Sequence, residues 1–297
     1  MSISRATAGG RAYLDLQRRA KDTNRNTQEL IQLYILEGFL ARLAASPASE
    51  NFVLKGGVLL AAFGNRRPTR DIDFAGRDIG NDEATILGLI KSVLAVQLSE
   101  DDGIEFAPDT ATAEVIRDED EYPGVRVSSN AKIATSRNRF HIDVNVGDPI
   151  VPSPTSVSVP RLIGGDPITL KGYPLHMVHA EKIVTAVQRG VANTRWRDFG
   201  DIWTLSRTLA VAGLDLQGAI REVAHHRRAE LSALSDVLNG YAELAQARWA
   251  AWRRRNNRQE LPAQFSDLLS EVINFAEPAI TDDLTDMRWS HDDRRWL

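Results

Sequence analysis

The chain of 297 residues contains no cysteine, which excludes disulfides, thiolate metal ligands and a cysteine nucleophile. Its six histidines are scattered, and no HExxH or similar spacing occurs, which argues against a zinc hydrolase. Excess charge is also small. The formal net charge is -4, so no global basic field marks a nucleic-acid binder, and such a role would need a local patch. No uninterrupted apolar run approaches membrane-spanning length, and the opening "MSISRATAGGRAYLDLQ" lacks an apolar core of signal-peptide length. The expectation is a soluble, cytoplasmic protein with no membrane partner.

What is present suffices for one large domain or two packed ones, since 43% of the residues are hydrophobic. Residues 27–45 carry apolar side chains at helical spacing over a broad face. "FVLK" reads as a short strand, a glycine pair opens the helix "VLLAAF", "GNRRPT" reads as a turn, and "RDIDFAG" as a strand. Residues 82–100 read as helix, followed by the acidic stretch "RDEDEYPG". "VRVSSNAKIA" and "FHIDVNVGD", separated by "TSRNR", have the alternation of a hairpin. Ile142, Val144 and Val146 face one side, and His141, Asp143 and Asn145 the other. Residues 151–174 are rich in proline and glycine and read as a linker with short extended pieces, after which the pattern is helical. The division expected is an α/β domain over 1–160 and a mainly helical domain over 161–297.

The chemistry concentrates in "LKGGVLLAAFGNRRPTRDIDF", residues 54–74. Strand, Gly56-Gly57, then helix frees backbone N–H groups to face a ligand, and glycine removes the Cβ that blocks close approach of phosphate oxygens. The alternative is a tight turn. Asp71 and Asp73, two apart on a strand, project from one face about 6.6 Å apart along it. Such a pair suits divalent metal binding, or else marks a solvated strand edge. Asp143, on the polar face of a later strand, is either a third member of that group or an edge residue in water.

Gly56-Gly57, thirteen residues, Asp71-x-Asp73 and a later strand carboxylate resemble the nucleotidyltransferase fold of DNA polymerase β and its relatives. More narrowly, "LYILEGFLARLAAS", "FVLKGGVLLAAF", "RRPTRDIDF", "HIDVNVGDPI", "HAEKIVTAVQRG" and "RWRDFGDIW", in this order, resemble the AbiEii/AbiGii toxin family of type IV toxin–antitoxin systems and its MenT-type members. The resemblance implies an α+β fold: a mixed sheet flanked by helices, followed by a helical domain that completes the active site. It implies a metal-dependent transfer of NMP from an NTP, with magnesium or manganese held by Asp71, Asp73 and Asp143. In the MenT-type relatives the acceptor is the 3′ end of tRNA, and blocking it stops aminoacylation and translation. A cognate antitoxin, usually encoded alongside, is implied as partner.

The resemblance also places Lys182 and Asp198 at the family's functional lysine and aspartate. As bare residues they fit a triphosphate contact and its orienting carboxylate, or an Arg–Asp ion-pair network between helices that includes Arg195 and Asp201. Lys55 can reach a phosphate, Arg70 is a phosphate ligand or a partner of the acidic cluster, and Thr69 has a hydroxyl near the metals. Phosphorylation of Thr69 would set a dianion beside three carboxylates and switch the site off; the plain alternative is a turn threonine after Pro68. "ARWAAWRRRNNRQ", residues 247–259, combines tryptophans and arginines suited to RNA, or is an amphipathic helix with core tryptophans and solvated arginines. Rivals to the tRNA reading are a small-molecule or protein acceptor, and a non-catalytic nucleotide-binding module.

Overall fold

The computed structural model describes residues 3–117 and 123–297, so most of the acidic stretch "RDEDEYPG" lies outside the described residues. The chain packs as two compact units, Met1–Asp148 with Thr155–Gly172, and Pro149–Pro154 with Tyr173–Leu297.

The first unit runs α1 (Ala8–Asp22), α2 (Thr27–Ala44), β1 (Phe52–Lys55), α3 (Gly56–Leu59) with a following 3-10 turn Leu60–Phe63, β2 (Asp71–Gly76), α4 (Glu83–Leu94), β3 (Ile104–Arg117), β4 (Pro123–Ile133), β5 (Ser136–Val146), β6 (Thr155–Val159) and β7 (Ile168–Gly172). The longer helices begin where side chains satisfy free N–H groups. Thr7 accepts from Gly10, Asn26 from Gln28 and Glu29, and Asp82 from Thr85. Among the described residues seven strands form one mixed sheet in the order β3-β4-β5-β2-β1-β7-β6. The pairs β2–β5 and β1–β7 are parallel, and the remaining neighbours are antiparallel.

Alternation along the central strands decides what each face carries. Ile72 and Phe74 of β2, with Phe140, Ile142 and Val144 of β5, are buried under α2, whose Phe39 lies 6.3 Å from Phe74 and 6.5 Å from Phe140 between ring centroids. Each such side chain contributes roughly 1.5–3 kcal/mol of burial. A one-residue slip would drive Asp71, Asp73 and Asp143 into this apolar layer, so the register is strongly specified.

Three segments differ from the sequence reading. The hairpin turn is shorter than "TSRNR": the strands run on to Ile133 and Ser136, leaving Ala134-Thr135, with Ala134 at φ +51 as a two-residue turn of this kind needs. Residues 104–117, to which the periodicity assigned nothing, form β3. A register shift between Ala107 and Thr112 breaks its alternation. The short extended pieces expected within the linker 151–174 are present as β6 and β7, but they are paired strands of the sheet rather than linker: they bury Val157, Val159, Ile168 and Leu170 and add two strands beside β1. The dividing point 160/161 therefore falls in the turn between two paired strands.

The second unit contains α5 (Leu175–Arg189), α6 (Trp196–Ser206), β8 (Val211–Ala212), α7 (Gly213–His226), α8 (Leu234–Val237), α9 (Tyr241–Arg255), α10 (Phe265–Ala276), α11 (Pro278–Thr281), β9 (Arg288–Ser290) and β10 (Arg295–Trp296). An aromatic cluster closes its helices: Trp196 stacks on Tyr241 at 5.9 Å, and Phe265 meets Phe199 edge-on at 5.7 Å. Trp249 of α9 belongs to this core. It is fully buried, donates from Nε1 to the Pro262 carbonyl at 3.0 Å, and carries Trp252 stacked 5.3 Å away. Arg253 donates to the carbonyls of Gln259 and Leu261, and Arg258 is buried against Glu260. Of the "ARWAAWRRRNNRQ" arginines, Arg248, Arg254 and Arg255 remain exposed.

Candidate active site

The glycine pair has two separate reasons. Gly56 turns the chain from β1 into α3 at φ +66, and a Cβ there would lie 1.8 Å from Asp73 Oδ2. Gly57 has no such backbone requirement, but its Cβ would lie 2.8 Å from Thr69 Oγ1 and 3.2 Å from Arg67 Nη1. The turn is thus pressed against a carboxylate, a hydroxyl and a guanidinium together.

Strand register supplies the rest. Lys55 pairs with Asp73, Asp73 with Asp143, Asp143 with Arg126, and Arg126 with Glu114, so five charged side chains form one row across β1, β2, β5, β4 and β3. The next row holds Asp71, His141 and Ser128. Carboxylate oxygens of Asp71, Asp73 and Asp143, one from each, lie within 4.8 Å of one another. Three hard oxygen donors converging from neighbouring strands fit a magnesium or manganese ion, and three like charges this close need a cation.

Asp143 is 7% exposed and bound by Arg126 at both oxygens, Nε to Oδ1 at 2.8 Å and Nη2 to Oδ2 at 2.6 Å. The bidentate pair answers the cost of burying that carboxylate, and each oxygen keeps a further lone pair for another ligand. Hydrogen bonding to Asp143 pushes the Arg126 guanidinium above its ordinary value, with further help from Asp71 and Glu114. His141 donates to or accepts from Ser128 Oγ through Nδ1 at 2.8 Å. Burial, with the charges of Arg126 and Arg139, lowers its imidazole against the opposing pull of Asp143 and Asp71.

The loop that carries Arg67 and Thr69 is anchored from behind. Arg66 pairs with Glu37 of α2 and donates to the Pro160 carbonyl, and Glu37 Oε2 accepts the Leu162 N–H at 2.9 Å. Burial raises the Glu37 carboxyl, with Arg66 opposing. Thr69 Oγ1 in turn donates to Asp71 Oδ1 at 2.9 Å. Lys55 is ion-paired with Asp148. Arg70 is exposed, and its carbonyl accepts from Gln32 Nε2 at 3.1 Å. The structure therefore gathers Gly56, Gly57, Thr69, Asp71, Asp73 and Asp143, with Lys55 beside Asp73 in the register. It leaves the Arg70 side chain in solvent. Arg126 and Arg67 escaped the sequence reading. The alternation of "VRVSS" puts Arg126 on a polar face, but only the β4–β5 register sets it against Asp143.

Lys182 and Asp198 lie in the second unit. Lys182 Nζ donates to Asp198 Oδ1 at 2.7 Å and Asp201 Oδ2 at 2.9 Å, and Arg195 Nε to Asp198 Oδ2 at 2.8 Å. Burial alone would raise the Asp198 carboxyl, but Lys182 and Arg195 outweigh it and hold it well below the usual carboxylate range. Lys182 and Arg195 thus meet the charge of two buried carboxylates, Asp198 and Asp201.

The sequence model of the nucleotidyl transferase AbiEii toxin, type IV TA system, matches residues 38–285. The chain belongs to the AbiEii family. No curated protein matches it. Among solved structures, a candidate nucleotidyltransferase from Helicobacter pylori is 16% identical, with 84% of this chain and 91% of that one covered at a TM-score of 0.44. The H. pylori protein JHP933 is 14% identical, with 80% and 99% covered at 0.35. Family membership does not lean on these two likenesses. As an AbiEii-family chain the protein is a nucleotidyltransferase toxin, for which the family implies an NTP substrate and an antitoxin partner. Among the described residues no helix is long and apolar enough to cross a membrane.

Proposed function

We propose that this AbiEii-family protein transfers an NMP unit from an NTP to the 3′ end of tRNA, and thereby blocks aminoacylation and translation. The observation that carries the reading is the convergence of Asp71, Asp73 and Asp143 on one another, with Asp73 set against the turn at Gly56. Magnesium or manganese, held by these three carboxylates, would supply charge neutralisation at the phosphates. The chain's own groups do the positioning. Arg126 fixes the rotamer of Asp143, Thr69 orients Asp71, and Gly56 leaves the carboxylate of Asp73 room against the backbone. The terminal ribose hydroxyl forms a bond to the α-phosphorus as the bond to the β-phosphate oxygen breaks. Pyrophosphate leaves, and the hydroxyl proton passes to a site carboxylate or to water. No covalent enzyme intermediate is needed.

Gly57 and the neighbouring Thr69 and Arg67 suit the triphosphate, with Lys55 and Arg70 as further phosphate contacts. Lys182 and Asp198 enter the proposal on the family motif, as functional residues of the helical unit. The test incubates the protein with each labelled NTP, magnesium and total RNA, beside Asp71→Ala. Label entering tRNA-sized RNA only with Asp71 intact supports the reading. Label on a small molecule or protein instead moves the acceptor, and no label on any acceptor leaves a nucleotide-binding module.

A further inference from the structure

The face that holds the carboxylates continues along β5 past His141. Side chains alternate, so Arg137 and Arg139 stand with His141 and Asp143, while Asn138, Phe140 and Ile142 are buried on the helix-covered side. At about 3.3 Å per residue, Arg139 lies about 13 Å and Arg137 about 20 Å along the strand from Asp143. Both are exposed, and neither is engaged in an ion pair with any described residue. The partner strand β4 sets Ser128 opposite His141, Asn130 opposite Arg139 and Lys132 opposite Arg137. Beyond Asp143 these two strands carry no acid on this face. The nearby Glu105 of β3 is taken up by Lys132 at 3.0 and 3.1 Å.

In a chain whose net charge is -4, this is a local cationic strip that ends at the carboxylates. We propose that the strip formed by Arg139 and Arg137, flanked by Asn130 and Lys132, binds the phosphate backbone of a single-stranded polynucleotide whose 3′ end reaches Asp71, Asp73 and Asp143. The inference rests on the reading of an RNA acceptor and gives that acceptor its path. The two guanidinium groups, about 6.6 Å apart along the strand, match successive phosphates of a single strand, and the exposed Asn130 amide opposite Arg139 serves a sugar or phosphate oxygen. Recognition of this kind is independent of sequence and strongly dependent on salt.

The experiment compares wild type with the double variant Arg137→Gln/Arg139→Gln, checking by thermal melting that both fold alike. RNA binding is measured by anisotropy of a labelled tRNA across salt concentrations, and transfer by labelled NTP at varied tRNA. Each lost phosphate contact on a single strand lowers the log–log salt slope by about 0.7, so the double variant should lose about 1.4. The acceptor KM should rise at least about tenfold at moderate salt, with the loss falling there rather than on kcat. A wild type that labels tRNA with no salt dependence would overturn the strip. So would an unchanged slope and KM in the variant, with the RNA-acceptor reading left standing. A slope that falls instead in Arg254→Gln/Arg255→Gln would overturn the strip in favour of α9. A wild type that neither binds nor labels RNA, yet labels a small molecule or an acidic protein, removes the RNA acceptor and the strip together.

Discussion

Gly56→Ala is the sharpest perturbation the geometry allows. Real Cβ contacts stay beyond 3.0 Å, and the added methyl would lie 1.8 Å from Asp73 Oδ2, so the carboxylate must retreat by at least 1.2 Å (3.0 − 1.8). The backbone adds its own term, because φ +66 costs a residue with a Cβ roughly 1–2 kcal/mol. Stability should therefore fall modestly. Activity should fall much further, since a displacement of about 1 Å in such a site costs roughly a hundredfold. Transfer would be measured from labelled NTP over a magnesium titration, with thermal melting in the presence and absence of manganese as a readout that needs no acceptor. The variant should melt a few degrees lower, lose most of its manganese-dependent shift, and retain about 1% of wild-type transfer. Gly57→Ala, at ordinary φ and with a nearest approach of 2.8 Å rather than 1.8 Å, should lose less. Gly56→Ala with near wild-type turnover and metal response would refute the claim that this glycine exists to admit Asp73.

Arg126→Ala should leave Asp143 buried without its bidentate partner, lowering stability by about 3 kcal/mol and weakening the response to manganese; Arg126→Lys, unable to bind both oxygens, should restore part of the stability and little activity. Circular dichroism and metal titration on the same samples check both. Lys182→Met should destabilise the second unit by roughly 3–5 kcal/mol in thermal melts, because Asp198 and Asp201 lose a shared cation in a buried place. A melt unchanged from wild type would show that the network does not hold the helices. His179 is fully buried against Phe275, with neither ring nitrogen hydrogen-bonded to a described residue, and burial pushes its imidazole down to about 3. A depressed folded value means stability that is full above the unfolded value of 6.5 and lost as pH falls toward 3, at up to about 1.4 kcal/mol per pH unit. His179→Leu should flatten that part of the stability–pH curve, and an unchanged slope between pH 6 and 4 would count against it.

Sequence alone determined the parts of this protein that rest on local spacing. The helix over 27–45, the strand 52–55, the glycine turn and the Asp71-x-Asp73 face follow from periodicities of 3.6 and 2 and from the conformational needs of glycine. The ordered motifs carried the family. Tertiary structure decided everything that depends on which strand lies beside which. The parallel β2–β5 register is what brings Asp143 to Asp73, and the antiparallel β4–β5 register sets Arg126 on Asp143 and leaves Arg137 and Arg139 facing water. The proline-rich 151–174 segment looked like a linker because short strands with few residues give little periodic signal, yet β6 and β7 gain their stability from pairing with each other and with β1. Trp249 shows the same limit, since its spacing on α9 fits a base-stacking surface as well as a core, and only the packing of Phe265 against it excludes water. Non-local pairing is a property of two segments at once, and no pattern within either one encodes it.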